Sequence, residues 1–316
     1  MTVSSPRHAF IVGSPRSGTT WLQLLLAQHP LVATSQETHL FSSYIGRAMR
    51  FWDQEEAAQD GRRRVGLTAV IELDEFRSAC RAFTDTVFGS VLAGTPAATV
   101  VLEKTPDHAP WAPEILSLYP DAAFVHVVRD PRDVVCSLRS AGRSWGRHWA
   151  PTNVLDGALL WRDRVEAGLR IRQLTSRYHE VRYEDLQRDA AGTLDGVCEF
   201  LGLPAEEGFS ERAAEACRMD RLKSGGSGRD LATPWGMGTE PAGFFRAGRT
   251  GTWRDELTPG ELRRVEYLAS PLMSELGYGP VGRSPTRRPL RVALREGLEW
   301  RHHRLYRTCR RWLQRL

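Results

Sequence analysis

The chain has 316 residues, of which 41% are hydrophobic and 26% charged, and a net charge of +5; this composition is typical of a soluble globular protein with a substantial core. Its longest apolar runs, such as residues 22–27, are too short to span a bilayer, and its first ten residues do not resemble a signal peptide, so we expect a cytoplasmic protein. Five scattered cysteines, without CxxC pairs or histidines at zinc spacing, argue against a disulfide framework and a metal site.

Residues 10–30 predict a strand, a turn and a helix. A short apolar run leads into small residues, and helical periodicity begins at Trp21. Such a turn points the N-terminus of a helix at open space, where unpaired backbone N–H groups and the helix dipole bind anions. Gly13 and Gly18 have the GxxxxG spacing of a phosphate loop, but two threonines stand where a nucleotide kinase carries Lys then Ser or Thr. The candidate anion ligands of this turn are Arg16, Ser17, Gly18, Thr19 and Thr20.

Further strands and helices alternate along the chain. Strands are predicted at residues 31–33, 99–102, 123–128 and 180–186. Helical patterns lie between them, and residues 44–95 predict a helical insertion that covers one face. Charged residues follow several of the strands. We therefore expect an α/β fold with a P-loop-like, doubly wound parallel sheet flanked by helices, whose ligands bind at the carboxyl edge of the strands.

Two later stretches add anion-binding chemistry. Arg129 directly follows the strand at 123–128, and Ser137 lies about two turns into the next helix, so the pair is placed to grip a second phosphate. Residues 245–254 offer arginine and glycine in a loop, which alone would indicate only a solvated basic loop. Together with the first turn, these stretches suggest a ligand that carries two well-separated anionic groups.

These residues resemble the sulfotransferases that use 3′-phosphoadenosine 5′-phosphosulfate (PAPS). The loop at residues 13–21 resembles their 5′-phosphosulfate loop, residues 129–137 their 3′-phosphate motif, and residues 245–254 their C-terminal RKG…GxW segment. Tyr183 begins a weaker match to a strand-end motif near the adenine. The resemblance implies one sulfotransferase domain over residues 1–281, PAPS as co-substrate and no metal. The PAPS-binding residues that it implies are Arg16, Ser17, Gly18, Thr19, Thr20, Trp21, Arg129, Ser137, Tyr183, Arg246, Ala247 and Gly248.

The chain departs from the cytosolic members of that family at three positions. Arg16 stands where they usually have lysine, and Ala247 replaces the lysine of RKG. Their catalytic histidine directly follows a Lys-Thr pair, whereas Pro106 follows the pair that begins at Lys104 here. The general base must therefore come from another residue.

Glu37 is the candidate base. Residues 37–41 (ETHLF) resemble the Glu-x-His/Gln-Phe-Phe stretch of the carbohydrate-modifying members, in which the glutamate takes the acceptor proton, and residues 103–106 (EKTP) resemble their Glu-Lys-Ser/Thr-Pro. The resemblance implies that Arg16 and Lys104 stabilise the transferred group. A structural ion pair of Glu37 with Arg16 or Lys104 is the alternative. The rival bases are His39, His108 and, more distantly, Asp107.

The resemblance implies transfer of a sulfuryl group to a hydroxyl of a glycan, a lipid-linked molecule or a secondary metabolite, without a nucleic-acid partner. Trp145 and Trp149, in a stretch that also holds His148, could floor the acceptor pocket, but aromatic residues near the start of a helix more often belong to the core. Two other functions stay open, a P-loop kinase of small molecules and a nucleotide-binding protein without catalysis. The oligomeric state is also open.

The last segment, residues 282–316, differs from the rest in charge. Residues 283–316 hold eleven arginines against two glutamates and carry +9, so the first 282 residues carry −4. Leu290, Leu294 and Leu298 recur at helical spacing, which predicts a basic amphipathic helix. Such a helix fits peripheral contact with anionic lipid through residues 290–316, an acidic partner, or the acidic surface of the protein itself.

Overall fold

Five parallel strands form the centre of the protein. A computed structural model describes residues 6–59, 64–223, 232–233, 236–237, 241, 243–246 and 248–281. The strands are β1 (Arg7–Gly13), β2 (Val32–Thr34), β3 (Val100–Lys104), β4 (Ala123–Val128) and β5 (Tyr178–Arg182). Their order across the sheet is β2-β3-β1-β4-β5. Two short antiparallel strands, β6 (Ala232–Thr233) and β7 (Gly236–Met237), form a separate pair.

Helices connect the strands, and further helices come after the last strand of the sheet in the sequence. In the described part they are α1 (Thr19–Leu26), α2 (Ile45–Ala58), α3 (Leu73–Ala93), α4 (Ala112–Leu118), α5 (Pro131–Gly142), α6 (Val154–Ile171), α7 (Tyr183–Arg188), α8 (Ala190–Leu201), α9 (Phe209–Ala216), α10 (Met219–Lys223), α11 (Trp253–Glu256), α12 (Pro259–Ala269) and α13 (Leu272–Glu275). Short turns of other helix types span Leu40–Tyr44, Leu67–Ala69 and Pro106–Trp111. None of the helices in these ranges is both long and apolar enough to cross a membrane.

The central strands bury side chains on both faces of the sheet. Ile11 packs into a cluster with leucines of α1 and α8, whereas its neighbours Phe10 and Val12 pack into a second cluster with Phe41 and Phe124. Successive side chains of a strand point to opposite faces, and both faces of a parallel sheet are covered by helices. The prediction of a doubly wound parallel sheet is confirmed, as is the helical insertion, which forms α2 and α3 between β2 and β3.

The fold corrects one predicted strand. β5 ends at Arg182, and Tyr183 begins α7, so the second half of the strand predicted at residues 180–186 is helical. Glu184 and Asp185 lie in the first turn of α7, where negative charge is favourable next to the helix dipole. Glu184 also accepts hydrogen bonds from the Asp130 backbone N–H at 3.0 Å and from the Tyr278 hydroxyl at 2.7 Å. These bonds tie the turn after β5 to the turn after β4.

The strand order brings the predicted site together. β1 lies between β3 and β4, and Gly13 at its end pairs with Val127 near the end of β4. The chain leaves β1 toward one side of the sheet and later crosses to β4 on the other, which is the switch point where ligands bind in such sheets. The basic tail at residues 282–316 lies outside the described residues.

Candidate active site

A cavity of about 490 Å³ opens at the carboxyl edge of the sheet, where β1 and β4 lie side by side. The predicted site residues that line it are Arg16, Gly18, Thr19, Thr20, Trp21, Glu37, Arg129, Ser137, Tyr183, Arg246 and Gly248. Ser17 and Lys104 are buried. Ser17 lies between the lining residues Arg16 and Gly18 in the sequence, and Lys104 lies at the end of β3. Ala247 lies outside the described residues. One cavity therefore collects segments that are far apart in the sequence.

The turn after β1 leads directly into the first turn of α1. Gly18 caps the helix with a positive φ of 97°, and a side chain there would clash with the ring of Tyr183. Because Gly18 has no side chain, the N-cap supplies no acceptor to the first backbone N–H groups of the helix, which also lack intrahelical acceptors. The Ser17 N–H instead donates to the Ser14 carbonyl at 3.1 Å and serves the turn. The Ser17 Oγ is fully buried and has no hydrogen-bond partner among the residues described.

Trp21 is built into the core beside this turn. Its indole is only 7% exposed, and its Nε1 donates to the Cys217 carbonyl at 3.0 Å. The ring meets Tyr183 edge to face, with centroids 5.9 Å apart. Trp21 therefore lines the cavity with a ring that is held in place by these contacts.

Arg129 is held by backbone oxygens on both sides. Its Nη1 donates to the Arg16 carbonyl at 3.2 Å and its Nη2 to the Arg249 carbonyl at 3.1 Å. The guanidinium lies 4.0 Å from the centre of the Tyr183 ring, and its buried Nε has no hydrogen-bond partner in the described part of the chain. These contacts fix a cation at the end of β4.

Arg16 lies on the same wall of the cavity. It adopts a positive φ of 72°, and its Nε donates to the Ser137 Oγ at 3.2 Å. Its Nη2 donates to the Phe244 carbonyl at 2.5 Å, and its guanidinium packs against the rings of Phe244 and Trp145 at 4.3 and 5.2 Å from their centres. The contacts of Arg16 thus connect the turn after β1 with α5 and with the C-terminal loop.

A buried carboxylate anchors that C-terminal loop. Asp133 of α5 accepts hydrogen bonds from the Gly251 N–H at 2.7 Å, the Thr252 hydroxyl at 3.1 Å and the Trp253 N–H at 3.2 Å. Sequence reasoning missed this role. The available signal was an acidic residue inside an arginine-rich motif, in the first turn of the predicted helix, at a position that is fully buried.

Arg246 is positioned from within the same loop. Its Nη1 pairs with the Glu256 carboxylate at 2.5 Å and its Nη2 with the Thr252 hydroxyl at 3.1 Å. The carbonyl of Gly248 accepts a hydrogen bond from the Gln187 side chain at 2.7 Å. The loop therefore places the Arg246 guanidinium at the cavity in a conformation that these hydrogen bonds hold.

Glu37 and Lys104 meet because their strands are neighbours. β2 pairs with β3, and Glu37 follows β2 while Lys104 ends β3. The Lys104 Nζ lies 2.5 Å from the Glu37 Oε1, and the ammonium side chain is almost fully buried while the carboxylate is 32% exposed. The ion pair that sequence reasoning held as the alternative for Glu37 is therefore present, and its partner is Lys104.

A buried carboxylate also braces the segment that carries Glu37. The Glu103 Oε1 accepts hydrogen bonds from the Thr38 hydroxyl at 2.8 Å and the Thr105 hydroxyl at 2.7 Å, and its Oε2 lies 2.8 Å from the His108 Nδ1. Burial opposes ionisation of Glu103, but attraction to His108 and these hydrogen bonds outweigh burial and lower its pKa to about 2. Glu103 is thus a buried anion that joins three segments.

The rival bases differ in position. His108 is fully buried, and its Nε2 accepts the Phe41 N–H at 3.1 Å while its Nδ1 faces Glu103, so neither nitrogen is offered to the cavity. His39 lines the cavity with its side chain half-exposed, 3.6 Å from the Glu37 Oε2. Asp107 also lines the cavity and accepts from the Arg164 Nε at 2.5 Å.

Aromatic rings complete the cavity. Trp145, Trp149, Phe244 and Phe245 line it, and successive rings lie between 5.0 and 5.7 Å apart. The sequence left two alternatives for Trp145 and Trp149, and in the structure both residues line the cavity. Trp145 also packs partly into the core. His148 lies in an adjacent groove instead.

The described cysteines are neither paired with one another nor part of a group of possible metal ligands. Cys80, Cys136, Cys198 and Cys217 are buried free thiols. Within the ranges that the structure covers, no group of three or more His, Cys, Asp or Glu side chains is arranged to hold a metal ion.

Comparison with known proteins assigns the chain to a family. Residues 8–207 match the model of the Sulfotransferase family. Nodulation protein NoeE of Sinorhizobium fredii (strain NBRC 101917 / NGR234) is 29% identical over 296 residues, which cover 86% of this chain and 66% of that protein. Sulfotransferase 2B1 of Mus musculus is 29% identical over 148 residues, or 43% of this chain and 44% of that protein. The chain therefore spans about two thirds or less of the length of these curated relatives.

Solved structures share the fold at low sequence identity. Mouse sulfotransferase SULT7A1 complexed with PAP superposes with a TM-score of 0.56 at 16% identity, covering 87% of this chain and 86% of that chain. The sulfotransferase domain from the curacin biosynthetic pathway superposes with a TM-score of 0.53 at 18% identity, covering 87% and 98%. Because the family match extends over more than half of the sequence, the chain belongs to the sulfotransferase family.

Proposed function

We propose that this protein transfers the sulfuryl group of PAPS to a hydroxyl of a glycan, a lipid-linked molecule or a secondary metabolite. One observation carries the proposal. The same cavity is lined by an anion-binding wall, with Arg129 and Ser137 beside the start of α1, and by Glu37, a carboxylate that is partly exposed to it. A donor with two anionic groups and an acceptor hydroxyl therefore have complementary places in one space.

The anion-binding wall suits PAPS, which carries a 5′-phosphosulfate and a 3′-phosphate. The buried Ser17 Oγ and Arg129 Nε have no hydrogen-bond partner within the described ranges, and α1 begins without a side-chain cap. Buried polar atoms of this kind are normally satisfied, so they favour a ligand that accepts hydrogen bonds. The turn at residues 13–21 would hold the phosphosulfate, and the 3′-phosphate would meet the remaining ligands, Arg129, Ser137, Arg246 and Gly248.

Charge and position define the roles of the remaining groups. Bound PAPS supplies the sulfuryl group, and PAP leaves when the S–O bond to its 5′-phosphate breaks and the bond to the acceptor oxygen forms. Glu37 accepts the proton of the acceptor hydroxyl at a carboxylate that Lys104 holds in place. Arg16 brings a second cation to the cavity. Such transfers depend chiefly on positioning and on fixed charges that stabilise the leaving oxygen.

The test replaces the proposed base. In Glu37→Gln we expect turnover to fall by at least about 10²-fold, as is usual when a general base is removed, while affinity for PAP is retained. [³⁵S]PAPS offered with extracts of the source organism reports transfer, and isothermal titration reports binding of PAP. Glu199→Gln, on the exposed side of α8, is the matched control.

Three outcomes would contradict parts of the proposal. Full turnover by Glu37→Gln would remove Glu37 as the base. Absence of PAP binding by the unaltered protein would overturn the proposed function. Magnesium-dependent turnover of ATP without sulfate transfer would favour a kinase instead.

A further inference from the structure

A second, open groove of about 440 Å³ adjoins the cavity. It lies between the segment after α5 and one side of α6, and Trp149 lines both spaces. The Trp149 side chain is 48% exposed, which is unusual for so large an apolar ring. The ring is therefore available from the cavity and from the groove.

An ion pair also belongs to both spaces. Asp107 lines the cavity, Arg164 lines the groove, and the Arg164 Nε donates to the Asp107 Oδ1 at 2.5 Å. Both side chains retain partial exposure, 26% for Arg164 and 37% for Asp107. The boundary between the two spaces thus includes an aromatic face and a pair of hydrogen-bonding charged groups.

Charged and polar side chains make up just over half of the lining of the groove. Arg147, His148, Asp156, Asp163 and Arg164 line it together with Trp149, Ala150, Pro151 and Leu160. An alkyl chain laid there would cover charged groups without replacing their hydrogen bonds to water, which is costly. A chain of hydroxyl groups, by contrast, donates to carboxylates and accepts from guanidinium groups. An exposed indole supplies a flat apolar surface for the less polar face of a sugar ring.

We propose that the groove is a second acceptor subsite and that the acceptor is an oligosaccharide. The ring with the reacting hydroxyl lies in the cavity with Glu37, the next ring crosses Trp149, and further rings lie along α6. This inference rests on the proposed sulfuryl transfer and adds the length and chemistry of the acceptor. Trp149 is then the residue that determines specificity for long acceptors.

The experiment measures how the rate depends on acceptor length. The protein is given [³⁵S]PAPS with N-acetylglucosamine and its β-1,4-linked oligomers of two to four rings, with the corresponding glucose series, and with octyl glucoside as a one-ring acceptor with an alkyl tail. We expect kcat/KM to rise at least about tenfold from one ring to three, as a stacked ring and its hydrogen bonds add binding. In Trp149→Ala the ratio falls to about one. Phe83→Ala, which removes a ring of the same 48% exposure that lines neither space, keeps the ratio.

Each other outcome decides against the subsite, against the oligosaccharide acceptor or against the proposed function itself. Equal kcat/KM for one and three rings, preference for octyl glucoside over the three-ring acceptors, or an unchanged ratio in Trp149→Ala overturns the subsite. A protein that binds PAP in isothermal titration yet sulfates none of these sugars overturns the oligosaccharide acceptor and leaves the proposed function standing. A protein that does not bind PAP overturns the proposed function, and the subsite with it.

Discussion

The cavity has a first wall, which carries Arg129 and Ser137, and a second wall, which carries Glu37 and Lys104. Each wall is supported by its own buried carboxylate, but the two walls differ in how far their functional groups are exposed. Asp133 holds the C-terminal loop from α5, the helix that also carries Ser137. The cation of the first wall is itself buried and bonded, with Arg129 only 6% exposed. On the second wall, Glu103 holds the backbone behind Glu37, but the Glu37 carboxylate is 32% exposed.

This difference indicates where the site is fixed and where it is open. A donor common to many acceptors requires one geometry, so a wall preorganised by buried hydrogen bonds suits it. A general base that meets acceptors of varied shape needs a well-supported backbone and a side chain that is exposed to the cavity. Under the proposed function, substitutions behind the second wall should affect stability and turnover, whereas substitutions in the first should affect affinity for PAP.

The largest expected effect follows from Glu103→Gln. His108 lies between the Glu103 Oε2 and the Phe41 N–H, so an amide NH₂ at position 103 leaves His108 facing donors on both sides. The pKa of Glu103 is lowered from 4.5 to about 2, which at about 1.4 kcal/mol per pH unit corresponds to about 3 to 4 kcal/mol of the free energy of unfolding. We expect a loss of that size at pH 7, measured by urea unfolding.

The pH dependence separates this charge effect from simple repacking. Because the folded pKa of Glu103 lies below the unfolded value, its contribution is complete above pH 4.5 and is lost as the pH falls toward 2. The gap between the unaltered protein and Glu103→Gln should therefore narrow below pH 4.5. The control Glu199→Gln, at an exposed position of α8, should have the same free energy of unfolding as the unaltered protein both above and below pH 4.5. A difference in the free energy of unfolding that stays constant with pH would contradict a stabilising role for the ionised Glu103 carboxylate.

A smaller effect is expected from Arg129→Lys. One ammonium cannot donate to the Arg16 and Arg249 carbonyls and also stack on Tyr183, as the planar guanidinium does. We expect the dissociation constant of PAP to rise about 10- to 30-fold, the size of a lost charge-assisted hydrogen bond, with the free energy of unfolding little changed. Isothermal titration measures the affinity, and Arg143→Lys at the exposed end of α5 is the control. Unchanged affinity would mean that the first wall does not bind the nucleotide.

The first wall was largely predictable from sequence because its parts are local. A strand, a turn with Arg16 and Gly18, and a helix form one continuous stretch, and Arg129 and Ser137 belong to one strand end and the following helix. Parallel strands end at a common edge, so alternation of strands and helices was enough to bring these residues near each other.

The second wall and the cavity floor depend on packing between distant segments. Pairing of β2 with β3 brings Glu37 to Lys104, and the sequence does not state which strands are neighbours. The contact of Arg16 with the Phe244 carbonyl likewise joins residues far apart in the chain. The mistaken strand at residues 180–186 has a local cause, since apolar Val181 and Tyr183 suggested a continuing strand where the acidic residues of α7 begin a helix.

The smallest expected effect comes from Asp133→Asn, which tests how much the first wall depends on its brace. The amide keeps one acceptor oxygen but directs an NH₂ at donors among the Gly251 N–H, the Thr252 hydroxyl and the Trp253 N–H. We expect PAP affinity to fall about fivefold, near 1 kcal/mol, because Arg246 reaches the cavity from the loop that these bonds hold. Hydrogen exchange at the Gly251 and Trp253 amides should accelerate together with the loss of affinity. The control Asp255→Asn, at an exposed position of α11, the helix that begins at Trp253, should change neither the PAP affinity nor the exchange rates. Faster exchange with unchanged affinity would show that the loop can loosen without disturbing the wall, and the contrast between a fixed wall and an open one would then rest on Arg129 and Ser137 alone.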